Sequence, residues 1–241
     1  MAESFEFQDL SGAVFWDVDL SGASFRGINL TDAAIAQSWL RNVDIDAVIE
    51  NVTINGVDVT AYVNERDAWY PLRSMLSPPD PEGMRTSWAA LEDTWAKTIA
   101  RARQLPEEKL HESVDGEWSF VQTLRHIVMA VDKWFTVPIL GESFHPMILP
   151  NTGSDSFDWP GRDRDAQPSF AEALEVRADR ARRVHDYLET VTPADLTKVV
   201  DILENGENSV QQCIHVVFEE AFQHNRYASR DLAKLEAAAA S

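Results

Sequence analysis

The sequence predicts an α+β chain, mainly α, in two unlike parts: a short segment that turns a corner every five residues, then a four-helix bundle. Three observations carry this reading. An apolar residue recurs at every fifth position from Leu10 to Ile45. Four later segments repeat apolar residues at helical spacing. Between the two parts lies "YPLRSMLSPPDPEG", with four prolines and no apolar period, which reads as a linker. The expected boundaries are a repeat segment over 1–62, a linker over 63–82, a bundle over 83–236 and a disordered tail over 237–241.

The ladder consists of Leu10, Phe15, Leu20, Phe25, Leu30, Ile35, Leu40 and Ile45. A period of five matches neither the helical nor the strand repeat of side-chain direction. It fits a chain that bends once per repeat and points each large rung at a central axis. Segments such as "DLSGAVFWDVDLSGASFRGINL" resemble pentapeptide-repeat proteins, over residues 5–50. The resemblance implies a right-handed quadrilateral β-helix of about two coils, too short to bury its own ends. Within the following "VTINGVDVTAYV", Asn55-Gly56 reads as a hairpin turn.

The helical part follows in order. Met84, Trp88, Leu91, Trp95 and Ile99 form one apolar stripe. "WSFVQTLRHIVMAVDKWFTVPIL" reads as the second long helix, "SFAEALEVRADRARRVHDYLETV" as the third and "NSVQQCIHVVFEEAFQHNRYASRDLAKLEA" as the fourth. Residues 141–168 are rich in Gly, Pro, Asp and Ser and read as a long loop, a length that usually signals function or mobility. On helix three, Arg177, Arg180, Arg182 and Arg183 are expected on a solvated face with i, i+4 acidic partners.

Helix four carries the candidate chemistry. With His224 as reference at about 100° per residue, Val210, Cys213, Val217, Glu220, Ala228 and Asp231 fall on one stripe, while Glu219 and His215 point away. An inward carboxylate without a partner is costly. Glu220 and His224, one turn apart, either bond each other or a neighbouring helix, or share a metal ion. A third ligand must come from elsewhere, and His126 on helix two is the candidate. It lies nearly opposite the strong apolar face of Val121, Leu124, Val128, Val131 and Phe135. That leaves a solvated surface histidine or a ligand in a side cleft. Asp231 is either a supporting partner behind the ligands or an ion-pair partner of Arg226 or Arg230.

"GEWSFVQTLRHIVMAVDKW" together with "SVQQCIHVVFEEAFQHNRYASRDL" resembles the DinB-like superfamily of four-helix bundles, over residues 83–236. That group includes mycothiol-dependent maleylpyruvate isomerases and related thiol S-transferases. Many members ligate metal through one His on helix two and a His-x-x-x-His on helix four, and this sequence has Glu220 where the first of that pair would stand. The resemblance therefore implies a divalent metal on His126, Glu220 and His224. Such a donor set suits Zn²⁺ first, with Ni²⁺, Fe²⁺ and Mn²⁺ as competitors. It further implies mycothiol or another low-molecular-weight thiol as cofactor, and an electrophilic small molecule as substrate for S-transfer or cis–trans isomerisation. Three protein ligands leave an open position, the arrangement of catalytic sites.

Composition narrows the partners. With 40 acidic and 21 basic residues, the formal charge of −19 disfavours nucleic acid and anionic membranes. No apolar run reaches a membrane-spanning length. One cysteine, Cys213, rules out an internal disulfide, and a cytoplasmic protein is expected. A homodimer is left open. The competing reading is a non-enzymatic metal-binding or stress-related interaction protein that uses its acidic repeat surface.

Overall fold

The computed structural model describes residues 5, 8–25, 27–151 and 158–239. The chain divides into two compact units, one ending at Asp46 and one beginning at Ala47.

In the first unit the five-residue period is written into the backbone. Positive φ recurs at Gly12, Asp17, Gly22, Gly27, Asp32, Gln37 and Asn42. Every second bend closes as a hydrogen-bonded turn. The amides of Ala13, Ala23 and Ala33 donate to the carbonyls of Leu10, Leu20 and Leu30 at 2.9, 3.0 and 3.0 Å. Asp9, Asp19 and Asn29 each accept from the backbone two residues on, at 2.9 Å. The structural repeat is thus ten residues, two pentapeptides. No strand forms in this unit among the described residues. The rungs do not reach an interior either: their exposure runs from 44% at Leu10 to 68% at Ile45. A solenoid buries rungs by stacking coil on coil, and among the described residues these rungs are not covered in that way.

The second unit opens with a hairpin, β1 (Thr53–Ile54) and β2 (Val57–Asp58), paired antiparallel around Asn55-Gly56 as expected. Two short helices follow, α1 (Thr60–Asn64) and α2 (Tyr70–Arg73). The stretch expected as a linker therefore holds α2 and buries Arg73 and Leu76. Its apolar residues are too few to show a period, yet Leu76 joins the main core and Trp69 and Leu72 pack against it.

Four long helices build the body: α3 (Pro81–Ala102), α5 (Phe120–Val131), α6 (Phe170–Thr190) and α8 (Val210–Ala239), with α4 (Glu107–Leu110) and α7 (Pro193–Leu196) as short connectors. Their starts are chemically marked. Asp80 caps α3 before Pro81, and Ser119–Gln122 and Ser169–Glu172 form capping boxes on α5 and α6. Both α3 and α5 pack against α6 and α8, which closes a ring around Trp95, Leu124, Phe135, Phe218 and Phe222. The Trp95 indole N–H donates to the Ala221 carbonyl at 2.9 Å, tying α3 to α8 inside that core. A second hairpin, β3 (Val199–Asp201) with β4 (Glu207–Ser209), leads into α8. That helix runs to Ala239, into the stretch expected as a disordered tail. None of the described helices is long and apolar enough to cross a membrane.

Two departures from the sequence reading shape the site. First, α5 passes into a π-helical turn over Asp132–Thr136, a feature that often accompanies functional sites. Second, the described parts of the long loop, before residue 152 and after residue 157, pack on α5. Phe144, Ile148 and Trp159 join Val128 and Met129 in a separate apolar cluster. Fully buried Asp132 fastens this arrangement: it accepts from Arg180 Nε at 2.6 Å and from the His145 backbone amide at 2.7 Å. Arg177 and Arg180 are accordingly buried and not on a solvated face. Glu92 and Asp132 supply the interior charges that make this tolerable.

Candidate metal centre

The helix phase of α8 puts Glu220 and His224 on the side that faces α5, and α5 brings His126 to meet them. His126, Glu220 and His224 each offer a ligand atom, and the three atoms lie within 4.8 Å of one another. His126 Nε2 is 3.5 Å from Glu220 Oε2, and His224 Nδ1 is 3.2 Å from the same oxygen. Glu219, its neighbour in sequence, is outside the cluster and exposed. Partial desolvation of its carboxyl by the surrounding protein, with the charge of Glu220, pushes the Glu219 pKa up although the residue's surface is exposed.

His126 is buried, although its helical face reads as polar. The cause is the loop. His126 Nδ1 lies 2.8 Å from the Leu149 carbonyl, a contact that places the N–H on Nδ1 and leaves Nε2 as the donor atom. His224 Nδ1 is likewise 2.9 Å from the Glu220 carbonyl. Arg125 anchors the same loop segment, donating from Nε to the Met147 carbonyl at 2.8 Å. Trp118, just ahead of α5, closes one side of the site. Its ring centroid is 4.5 Å from that of His126 and 6.1 Å from that of His224.

The residues fit a cation. Glu220 Oε2 is sealed from water and has no hydrogen-bond partner among the described residues, although the side chain as a whole is a third exposed. An orphaned carboxylate oxygen between two imidazoles is costly without a positive charge. Burial acts to raise the Glu220 pKa. The approach of His126 and the nearby charges of His224 and Lys133 outweigh it, so the carboxyl ionises below its ordinary range. Two imidazoles and one ionised carboxylate form a donor set of the kind that holds divalent transition metals.

Other candidates settle elsewhere. Asp231 is buried, and its carboxylate accepts from Arg230 at 2.7 and 3.0 Å, so the ion-pair alternative describes it. Cys213 is fully buried and its thiol is pushed up to about 11 by that burial. His145 pins the loop to Asp132, and His215 lies against the Pro78 carbonyl at 2.9 Å. The residue that sequence reasoning placed on the His126 side of the helix without giving it a role is Lys133. Its ammonium lies 2.6 Å from Glu204 Oε1 in the turn between β3 and β4, and its charge reaches Glu220. It follows His126 by two helical turns, which was the available signal.

Comparison with known families agrees with this geometry. The family model of pentapeptide repeats matches eight copies over residues 9–45. Searches of curated proteins and of solved structures found no match. The family model described as DinB superfamily matches residues 90–228, more than half of the chain and including all three clustered residues. The chain belongs to the DinB superfamily.

Proposed function

We propose that the helical unit is a metal-dependent enzyme that uses a low-molecular-weight thiol, mycothiol or a relative, for S-transfer to a small electrophile or for its cis–trans isomerisation. The observation that carries the reading is the convergence of three ligand atoms on an orphaned, buried carboxylate oxygen. His126, Glu220 and His224 would hold the ion, Zn²⁺ before Ni²⁺, Fe²⁺ or Mn²⁺ on donor chemistry. When bound, such an ion acidifies a coordinated thiol or water.

The chain's own residues supply orientation. The Leu149 and Glu220 carbonyls hold the two imidazoles by Nδ1. The Trp118 ring lies beside both imidazoles. The protein offers no ready thiolate of its own, since its single thiol is interior and burial pushes it up to about 11. A thiol nucleophile must therefore arrive as a diffusible molecule.

The test is metal analysis of purified protein together with thiol consumption, comparing mycothiol with glutathione and cysteine. Wild type should carry one equivalent of metal, and His224→Ala should weaken retention by about 100-fold, the scale of losing a ligand or more. Metal content unchanged by His224→Ala sinks the site. Metal without thiol turnover sinks the enzyme but not the site.

A second reading concerns the first unit. Its rungs are exposed and residues 1–46 carry eight acidic and two basic side chains, which suits an interaction surface. In that reading the metal site is structural or regulatory.

A further inference from the structure

A buried guanidinium normally sits against a carboxylate, because an unbalanced interior charge is costly. Four arginines of the helical unit are each less than a tenth exposed: Arg73, Arg125, Arg177 and Arg180. Three obey the rule. Arg73 Nε is 2.8 Å from Asp67, Arg177 Nη1 is 2.7 Å from Glu92, and Arg180 Nε is 2.6 Å from Asp132.

Arg125 does not. Among the described residues no carboxylate lies within ion-pair distance of it. Its Nε donates to the neutral Met147 carbonyl at 2.8 Å. Its two terminal nitrogens have no hydrogen-bond partner among the described residues and are not sealed from water. Arg162 and Asp163 both act on it, with opposite signs. Carboxylates are not scarce, since the chain has 40 acidic residues against 21 Lys and Arg. Among the four buried guanidiniums, Arg125 alone lacks a carboxylate among the described residues.

We propose that Arg125 is the centre of an anion site beneath the loop segment that contains Met147 and Leu149. The ligand is a small oxyanion, a carboxylate or phosphate group, held by the two terminal nitrogens. A planar fork of two N–H donors matches the paired oxygens of such a group, and charge-assisted bonds of this type are the strong ones. Nε remains on Met147, which keeps the fork aimed. The site is independent of the metal reading, although Arg125 and His126 are adjacent and bind carbonyls two residues apart.

The test is calorimetric titration of the full chain with inorganic phosphate and, separately, with succinate, at constant ionic strength in chloride. Wild type should bind one equivalent of one of the two, and which one identifies the oxyanion. Arg125→Met should weaken that binding by about ten-fold or more, the loss expected for a charged hydrogen-bonding partner. Asp163→Asn removes a competing negative charge and should tighten it. His224→Ala should leave it unchanged, which separates this site from an anion bound at the metal. Absence of binding by wild type, equal binding by Arg125→Met, or loss in His224→Ala would each overturn the proposal. Should Arg125→Met fail to fold by circular dichroism, Asp163→Asn decides, and no tightening there overturns it as well.

Discussion

The two units of this chain use the same device, a large apolar residue at a fixed interval, and obtain opposite results. In the helical unit the stripe of Met84, Trp88, Leu91 and Trp95 is buried to within 3% of completely. In the repeat unit the ladder from Leu10 to Ile45 stays about half exposed or more, from 44 to 68%. The backbone of each is equally regular, with intrahelical bonds in one and a hydrogen-bonded turn every ten residues in the other. A sequence period fixes where side chains point. Burial needs a second surface to point at, and α6 and α8 provide it for α3.

The largest expected effect tests that contrast with one type of change. Trp95→Ala removes a fully buried indole, its bond to Ala221 and the face on which Arg177 rests, and should cost about 3–5 kcal/mol. Phe15→Ala, at 61% exposure, should cost less than about 0.5 kcal/mol. Both are read from urea unfolding followed by tryptophan fluorescence. A loss above about 2 kcal/mol for Phe15→Ala would show its ring packed in solution, as the coiled form of the ladder requires.

The cluster of His126, Glu220 and His224 was legible in the sequence to different depths at its three residues. Glu220 and His224 follow from the phase of one straight helix, and phase also separates Glu220 from Glu219. His126 does not follow from phase, because its burial is made by another part of the chain. The loop lays Phe144, Ile148 and Trp159 over Val128 and Met129 and brings the Leu149 carbonyl to the imidazole. Periodicity within α5 carries no information about that cover. The signal lay in the loop, where "FHPMIL" and Trp159 are too apolar for a solvated connector. Arg177 and Arg180 were misplaced for a related reason. Long charged side chains turn inward when a carboxylate such as Glu92 or Asp132 awaits them across the core, and a sequence does not reveal that partner.

A second matched pair sharpens the comparison through charge. Asp132→Asn leaves buried Arg180 with Asp179 as its remaining carboxylate and should cost about 3 kcal/mol. It should also loosen the loop, which Asp132 holds through the His145 amide, so protease cleavage within residues 141–168 should accelerate in parallel. Asp19→Asn is the same chemical change in the repeat unit. Asn29 already fills the corresponding place ten residues on, accepting from Thr31 at 2.9 Å as Asp19 accepts from Ser21. That variant should unfold at the wild-type urea concentration. A measurable loss would mean that the carboxylate of Asp19 has a partner beyond its own turn.

The smallest pair replaces glycine by alanine in each unit, and the causes of the cost differ. Gly83 is helical, and an added methyl would meet Pro78 Cβ at 2.8 Å. The proline ring cannot yield by rotation, so overpacking offsets the gain in helix propensity, and the net loss should be about 1 kcal/mol. Gly22 meets nothing within 4 Å, but its φ is +75°. Alanine there should cost about 1 kcal/mol from backbone strain alone. Because the turn is local, the readout is exchange of the Ala23 amide, which closes onto Leu20 and should exchange about five-fold faster. The discriminating variant is aspartate at both sites. Asp32 occupies the position equivalent to Gly22 at φ +60°, so Gly22→Asp should recover much of the protection that Gly22→Ala loses. Gly83→Asp should recover nothing, because its Cβ meets the same ring. Recovery at Gly83, or none at Gly22, would reverse the assignment of steric cost to the packed unit and conformational cost to the repeated one.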